Sequence, residues 1–257
     1  MPNRLWRTIL TFPDTGVANM ALDEALMERS AATNEWICRV YGWSEPTISF
    51  GRNQSALRDY DRERVEAGHR AVRRPTGGRA ILHHREITYC VTGPTSDAGG
   101  LQESYVLINR LLVDGLRSLG VDVAMAVSRV EPMQPGAIPC FDHPSSGELV
   151  AGGRKLVGSA QWRSEHALLQ HGSILIDDDQ AILTEYLKHP QSPPPPAATL
   201  RELLGAPPSL SDVANAIFSA VKADDPNARP LEIDQTLLDA QSRLAGRFGD
   251  PTWTWRR

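Results

Sequence analysis

The feature that most constrains the fold is a stretch in which two β-prone runs flank a turn rich in proline and glycine. The runs are Ala71–Arg73 and Ile87–Thr92, and the turn carries Pro75, Gly77 and Gly78. Proline fixes its own φ and biases the preceding residue towards an extended conformation. The two glycines allow positive φ and let the backbone approach a ligand closely. Arginines and histidines crowd into the same stretch, which favours a binding site over a simple hairpin.

The bulk composition is that of a globular protein and does not favour nucleic acid as the main partner. The 257 residues are 41% hydrophobic and 23% charged, with a formal net charge of −4. This length supports a sizeable core, and the mildly acidic balance argues against nucleic-acid binding. Since no apolar run of about 18 residues and no signal peptide are found, no membrane partner is expected. We expect a cytoplasmic protein.

The three cysteines are widely spaced, which indicates reduced thiols rather than a disulfide scaffold. No Cys-x-x-Cys pattern of a metal site occurs, and we expect no metal. Cys38 and Cys90 lie inside strand patterns and are assigned to packing. Cys140 lies in an irregular segment, 132–146, where the residues alone leave open whether its thiol is structural or reactive.

The spacing of apolar residues predicts strands and helices in succession over most of the chain. Strands are predicted over Arg4–Leu10, Trp36–Tyr41, Thr47–Phe50, Val121–Ala126, Glu148–Ala151, Lys155–Arg163 and Ala167–Ile176. Helices are predicted over Ala18–Ser30, Tyr60–Ala67, Gln102–Leu119 and Gln180–Leu187. The last three strands are expected to be antiparallel, the first two of them joined by the pair Gly152-Gly153.

A proline-rich stretch divides the chain. Four consecutive prolines within residues 191–197 favour a stiff polyproline II linker. Residues 1–190 are expected to form the main catalytic domain, and residues 198–257 a small helical subdomain. Within that subdomain, helices are predicted over Ser211–Ala223, capped by its first residue, and Asp234–Ala245.

A second stretch complements the first, and together they resemble a known superfamily. Residues 73–83 read Arg-Arg-Pro-Thr-Gly-Gly-Arg-Ala-Ile-Leu-His, and residues 153–161 read Gly-Arg-Lys-Leu-Val-Gly-Ser-Ala-Gln. These resemble the acyl-binding loop and the lysine-bearing strand of the lipoate-protein ligase and biotin-protein ligase superfamily. The resemblance covers nearly the whole chain. It implies an α/β (α+β) fold with a mixed, mainly antiparallel sheet flanked by helices.

Within that superfamily, the chain is most similar to the cysteine-dependent octanoyltransferases. The similarity rests on Cys140 and on the run Leu-Gln-His-Gly-Ser-Ile at residues 169–174. Those enzymes move an octanoyl group from acyl carrier protein to a lysine of a lipoyl-domain protein, such as the glycine cleavage H protein or a dehydrogenase E2. The resemblance implies that Cys140 is the nucleophile, that Lys155 is the family's essential lysine, and that no cofactor is needed. On spacing alone, a lysine in a β-prone run would belong to a solvated strand face.

The resemblance also implies a set of residues that bind the acyl group. Two glycines are expected to line an acyl tunnel, with an arginine near its mouth, a histidine in its wall, and a glycine of the lysine-bearing strand alongside. With a second histidine, this set comprises Arg73, Gly77, Gly78, His83, Gly158 and His171. An octanoyl tail buries about seven carbons, which contributes about 5 kcal/mol at roughly 0.8 kcal/mol per methylene. The tunnel is therefore expected to be apolar.

Other functions compete with octanoyl transfer. An ATP-dependent lipoate-protein ligase would use the same loop and lysine. However, Arg79 stands where ligases usually carry a third glycine, and Glu86 where they usually carry Gly-Asn. Amidotransfer between two lipoyl-domain proteins is a variant of the main hypothesis. A carrier-protein binder without activity is opposed by the presence of both Cys140 and Lys155.

Overall fold

A computed structural model describes residues 4–126 and 147–256. The elements up to the first gap are β1 (Leu5–Leu10), α1 (Gly16–Thr33), β2 (Glu35–Tyr41), β3 (Thr47–Phe50), α2 (Ala56–Asp59), α3 (Arg62–Gly68), β4 (Arg70–Arg73), β5 (Ile81–His83), β6 (Glu86–Pro94), α4 (Leu101–Ser118) and β7 (Ala124–Met125). After it come β8 (Leu149–Ala151), β9 (Arg154–Arg163), β10 (Ala167–Leu175), a 3₁₀ helix (Gln180–Tyr186), α5 (Leu200–Leu204), α6 (Leu210–Asp224), β11 (Arg229–Pro230), α7 (Gln235–Phe248) and α8 (Pro251–Thr254).

The strands form one large and one small sheet. The large sheet has eight strands in the order β11-β1-β2-β6-β10-β9-β8-β7. Strand β1 is parallel to both of its neighbours, and every other adjacent pair is antiparallel. The small sheet has the order β4-β3-β5. The expected mixed, mainly antiparallel sheet flanked by helices is therefore confirmed.

Strict alternation sorts the side chains of the central strands onto two faces of the large sheet. In β2, Trp36, Cys38 and Val40 share a core with side chains of α4 and α6. Arg39 and Tyr41 point to the opposite face, where their polar atoms bond to α1. One face of the sheet therefore carries an apolar core, and the other carries buried polar groups beside a second apolar cluster beneath α1.

The residues after the proline-rich stretch pack onto those before it. Helix α6 lies against α4, α7 lies against α1, and β11 pairs with β1. The backbone N–H of Ala198 donates to the Lys155 carbonyl at 2.9 Å, at the start of β9. Side chains from α6 and α7 enter the two largest apolar clusters. The segment 198–257 thus shares its cores with the rest of the chain.

The β-prone flanks of the glycine-rich loop suggest a hairpin of two paired strands, but the strands that the loop joins, β4 and β5, are not paired with each other. Strand β3 lies between β4 and β5, with Ser49 level with Val72 on one side and Ile81 on the other. The following strand, β6, belongs to the large sheet. The loop over residues 74–80 therefore crosses the end of β3, next to both sheets.

Some predicted helix boundaries differ from the observed ones because a tertiary contact intervenes. The helix predicted over Tyr60–Ala67 is observed as α3, Arg62–Gly68, and it begins two residues later because Tyr60 forms a β-bridge with Leu187. The short helix α2, which precedes it, was not predicted. The segment Gln180–Leu187 is helical as predicted, but it is a 3₁₀ helix. Helix α6 is capped by Ser209, not Ser211.

The strand predicted over Val121–Ala126 shrinks to two residues, because only Ala124 and Met125 pair with β8. Of the helices in the described ranges, none has the length and apolar composition needed to cross a membrane.

Candidate active site

A small, partly open cavity of about 20 Å³ lies between the large sheet, the small sheet and α1. Three of the predicted site residues, His83, Gly158 and His171, form part of its wall, and Arg74, Met20 and Tyr41 contribute others. The register of the strands explains why these residues lie at one cavity. Gly158 of β9 is level with Ser173 of β10, and His171 lies two residues before Ser173 on the same face. The two histidines, 88 positions apart in sequence, thus meet at one cavity because β5 covers this part of the sheet.

The first histidine is held by a buried carboxylate. His171 Nδ1 lies 2.9 Å from Asp23 Oδ2, and His171 Nε2 lies 2.7 Å from Thr76 Oγ1. Asp23 also accepts from Arg39 Nη1 at 2.7 Å and from Tyr41 Oη at 2.8 Å. Burial acts to raise the pKa of Asp23, but the Arg39 charge and these hydrogen bonds outweigh burial and leave the pKa lowered. Asp23 therefore stays ionised and fixes the orientation of His171.

A second histidine repeats the arrangement. His83 Nδ1 lies 3.3 Å from Glu86 Oε1, and His83 Nε2 lies 2.8 Å from Ser49 Oγ. The ring stacks on Trp43 with 3.9 Å between centroids. Burial lowers the pKa of His83, although the neighbouring carboxylate of Glu86 acts in the opposite direction. His83 is therefore a neutral, fixed wall at physiological pH.

The hydroxyl groups of the cavity wall are also engaged. Thr88 Oγ1 donates to Glu86 Oε1 at 2.7 Å and accepts from Trp43 Nε1 at 2.8 Å. Ser173 Oγ donates to Glu86 Oε2 at 2.6 Å. The tunnel was expected to be apolar, whereas its wall contains many polar residue types. Because the polar atoms bond to partners behind the wall, the side chains present mainly carbon to the cavity.

Arg74 shapes the glycine-rich loop. Its guanidinium donates to the carbonyls of Gly77 (Nη2, 2.7 Å), Arg79 (2.7 Å) and Ser49 (2.9 Å). Gly78 has φ of 88°, a left-handed conformation that favours glycine. A Cβ there would lie 3.8 Å from the Cβ of Ala160, so the loop covers β9 beside the cavity. Gly77 and Gly78 therefore flank the cavity rather than forming its wall.

Arg73 does not stand at the cavity mouth, contrary to expectation. Its guanidinium is fully buried and donates to the carbonyls of two other segments. The acceptors are the carbonyl oxygens of Gly51, Arg52, Gln54, Trp253, Thr254 and Arg256. Burial, together with the charges of Arg256 and Arg74, lowers the pKa of Arg73 to about 10. As the last residue of β4, Arg73 points to the C-terminal segment, and Arg74 takes the position at the cavity.

Lys155 lies at the start of β9, three residues before Gly158 in the chain. Its side chain is buried, and Nζ donates to Glu148 Oε1 at 2.8 Å. A solvated strand face is therefore excluded for this lysine. The β8–β9 register shifts between Leu149 and Val150. This irregularity interrupts the alternation of β9 next to Lys155.

Of the three cysteines, Cys140 lies outside the described residues. Cys38 and Cys90 are buried and free, in agreement with their assignment to packing. Burial raises the pKa of Cys38 to about 12, and burial likewise raises the pKa of Cys90. Both thiols are therefore poor nucleophiles. Within residues 4–126 and 147–256, no three His, Cys, Asp or Glu side chains are grouped as metal ligands would be.

The sequence did not single out Asp23, Met20 or Tyr41, which are central to the cavity. Asp23 looks like a solvated residue of an amphipathic helix, although the whole stretch from Asn19 to Met27 is buried. The available signal was a pair of opposite charges inside apolar patterns, Asp23 in the first helix and Arg39 in the second strand. Charged residues in such positions are seldom buried unless they are paired.

Comparison with known proteins agrees with this architecture. Residues 15–222 match the family described as the lipoyl protein ligase A/B catalytic domain, and the chain belongs to that family. The chain is 38% identical to octanoyltransferase LipM of Kyrpidia tusciae, over 98% of this chain and 99% of the relative. It is 35% identical to octanoyltransferase LipM of Symbiobacterium thermophilum, over 98% of both chains. A crystal structure of lipoate-protein ligase A bound with ATP shares the fold, with a TM-score of 0.77 and 21% identity over 98% of each chain.

Proposed function

We propose that the chain is a protein N-octanoyltransferase of lipoate biosynthesis, acting in the cytoplasm. It moves an octanoyl group from an acyl-carrier-protein thioester to a lysine of a lipoyl-domain protein. The observation that carries the proposal is the similarity, over nearly the whole chain, to relatives named octanoyltransferase LipM. The carbon-faced cavity beside the glycine-rich loop supports it, because an alkyl chain needs a wall of this kind.

Two chemical steps follow from the proposal. The Cys140 thiol gives up its proton, and the thiolate attacks the thioester carbonyl and forms a new carbon–sulfur bond. The donor's carbon–sulfur bond breaks, and the pantetheine sulfur takes up that proton and leaves as a thiol. The amine of the acceptor lysine then attacks the acyl-enzyme, the amide forms, and the Cys140 thiol is regenerated. The thioester is already activated, so neither ATP nor a metal is required. Cys140 stands eight positions before Glu148 in the sequence, and Glu148 holds Lys155.

Lys155 is proposed to act by its charge. The contact with Glu148 orients the ammonium and pairs its charge in a buried position. An ammonium near the reacting groups lowers the pKa of a thiol and polarises a carbonyl. Glu148 is then a positioning residue, since it acts through Lys155.

The remaining predicted residues support binding. Gly158 and the ring faces of His83 and His171 contact the acyl chain, with the loop of Gly77 and Gly78 beside it. Arg73 acts indirectly, because it holds the segment 51–54, and the glycine-rich loop packs against this segment. A Cβ at Gly51 would lie 1.9 Å from the carbonyl oxygen of Gly78, so the two segments touch.

The test is intact-protein mass spectrometry with octanoyl-carrier protein and an apo lipoyl domain, without ATP or Mg²⁺. Wild type should first carry one octanoyl group and then pass it to the acceptor. Cys140→Ala should do neither, whereas Cys38→Ala, a matched change in a packed thiol, should retain transfer. Normal transfer by Cys140→Ala would rule out the covalent route.

The ligase hypothesis is decided by the donor. Free octanoate with ATP and Mg²⁺ should give no product with wild type, and an ATP-dependent product would replace the transferase with a ligase. Lys155→Ala should lose most activity. Lys188→Ala should not, because Lys188 is exposed and its ammonium donates to the carbonyl of Leu57 in α2, a residue that does not line the cavity. Equal activity of the two lysine variants would remove Lys155 from the mechanism.

A further inference from the structure

We propose that Met20 sets the length of acyl chain that the site accepts, by acting as the adjustable wall of the cavity. This inference rests on the proposed acyl transfer and goes further, since it assigns chain-length selection to a residue outside both sequence motifs.

The floor is a row of four residues at one level across four adjacent strands. Gly158 is level with Ser173, Ser173 with Thr88, and Thr88 with Tyr41. Three strand spacings of about 4.8 Å give the row a length of about 14 Å. An octanoyl chain has seven carbon–carbon bonds of about 1.5 Å, and its zigzag advances roughly 9 Å. The chain therefore fits along the row.

Side-chain size increases along this row. It begins with the hydrogen of Gly158, continues with the short side chains of Ser173 and Thr88, and ends with the ring of Tyr41. Tyr41 is fully buried, its hydroxyl donates to Asp23, and the Arg39 guanidinium lies 3.8 Å from its ring centroid. Tyr41 is therefore a fixed end wall, and a chain laid along the row enters from the Gly158 side.

Most other walls are also fixed by hydrogen bonds. His83 and His171 each bond through both ring nitrogens, and Arg74 bonds to several carbonyls. Of the longer side chains that line the cavity in the described residues, only those of Met20 and Ile81 have no hydrogen-bonding group. Ile81 is β-branched and stiff in a strand, whereas the unbranched Met20 changes conformation readily. Met20 is thus the wall that can move.

The cavity volume makes such movement necessary. About 20 Å³ holds roughly one water molecule, far less than eight carbons. Met20 is 1% exposed and packs within the α1 core, so its displaced position is limited by its neighbours. The space that Met20 vacates therefore determines how many methylene groups enter.

The test measures transfer from carrier thioesters of six to twelve carbons in competition. Met20→Ala removes three heavy atoms and should admit about two more methylenes. The ratio of decanoyl to octanoyl kcat/KM should rise about tenfold, at roughly 0.8 kcal/mol per methylene. Met20→Leu conserves volume and should keep the octanoyl preference. Leu116→Ala is the matched control, since it also removes three heavy atoms from a buried helical side chain, and Leu116 packs in the cluster on the opposite face of the large sheet.

A second measurement separates this inference from the proposed function. Calorimetric binding of short alkyl thioesters to the same variants reports chain-length preference without any transfer. If wild type transfers nothing but Met20→Ala shifts the binding optimum to longer chains, Met20 keeps its role and the transferase assignment fails. An optimum unchanged in folded Met20→Ala, or shifted equally in Leu116→Ala, would overturn the inference. If Met20→Ala does not fold, Met20→Val answers the same question with a smaller shift.

Discussion

Replacing Asp23 by asparagine should destabilise the protein and change its response to acid. The substitution keeps the shape of the side chain but removes a buried charge that contacts Arg39, Tyr41 and His171. Removing one partner of a buried ion pair costs about 3–5 kcal/mol. The value here should lie near about 3 kcal/mol, because Arg39 also donates to Thr11 and Asn19, bonds that the variant retains. The melting temperature should fall by about 6–12 °C.

The pH dependence gives an independent check. The pKa of folded Asp23 lies below its ordinary value of 3.8, so the folded state binds fewer protons than the unfolded state between these two values. The stabilisation from Asp23 is therefore complete above pH 3.8 and is lost as the pH falls through the folded-state pKa. Urea unfolding of wild type and Asp23→Asn across this range should show a difference in free energy of unfolding that shrinks in acid.

The exposed variant Asp239→Asn serves as the control, because the Asp239 carboxylate only accepts a hydrogen bond from Gln235 on the surface of α7. It should unfold close to wild type at every pH. If Asp23→Asn lost less than about 1 kcal/mol, or if its deficit were the same at acid and neutral pH, the charge of Asp23 would not be what stabilises this site.

Three further substitutions and measurements follow from the geometry. Gly172→Ala should cost about 1–3 kcal/mol in thermal unfolding, since its Cβ would lie 2.5 Å from a backbone oxygen of β9; Gly246→Ala, with no atom within 4 Å, should cost nothing. Arg73→Gln should lower the free energy of unfolding in urea by at least about 3 kcal/mol, because several charged hydrogen bonds to carbonyls are lost; an unchanged midpoint would contradict the role assigned to it. Cys38 and Cys90 should resist iodoacetamide at pH 8 until the protein unfolds, and labelling in the folded state would contradict the pKa shifts caused by burial.

Local signals in the sequence were sufficient for much of the fold. The helix predicted over Gln102–Leu119 is observed over Leu101–Ser118, because its apolar spacing and its flanking glycines are local properties. The turn predicted at Gly152-Gly153 joins β8 to β9, and both glycines have positive φ, as a tight hairpin of this kind requires. In such places the chain needs no distant partner to define its conformation.

The candidate site could be predicted only in part from the sequence, because the residues that meet there are far apart along the chain. Two adjacent arginines, Arg73 and Arg74, have different surroundings, and the difference depends on where β4 ends against β3. Asp23 is 148 positions from His171, so no local pattern connects them. The motif at residues 169–174 contains His171, which lines the cavity, but the carboxylate that orients His171 lies on a helix near the other end of the chain.

The engagement of polar atoms behind the cavity wall has a thermodynamic consequence. A water molecule in a buried site needs two to four polar partners, and this wall offers few that are not already bonded. The cavity is therefore expected to hold little ordered water, and an alkyl chain that enters it should displace little ordered solvent. Binding to a pocket of this kind is expected to be driven by enthalpy at 25 °C, with a negative change in heat capacity, in contrast to the entropic transfer of hydrocarbon out of bulk water.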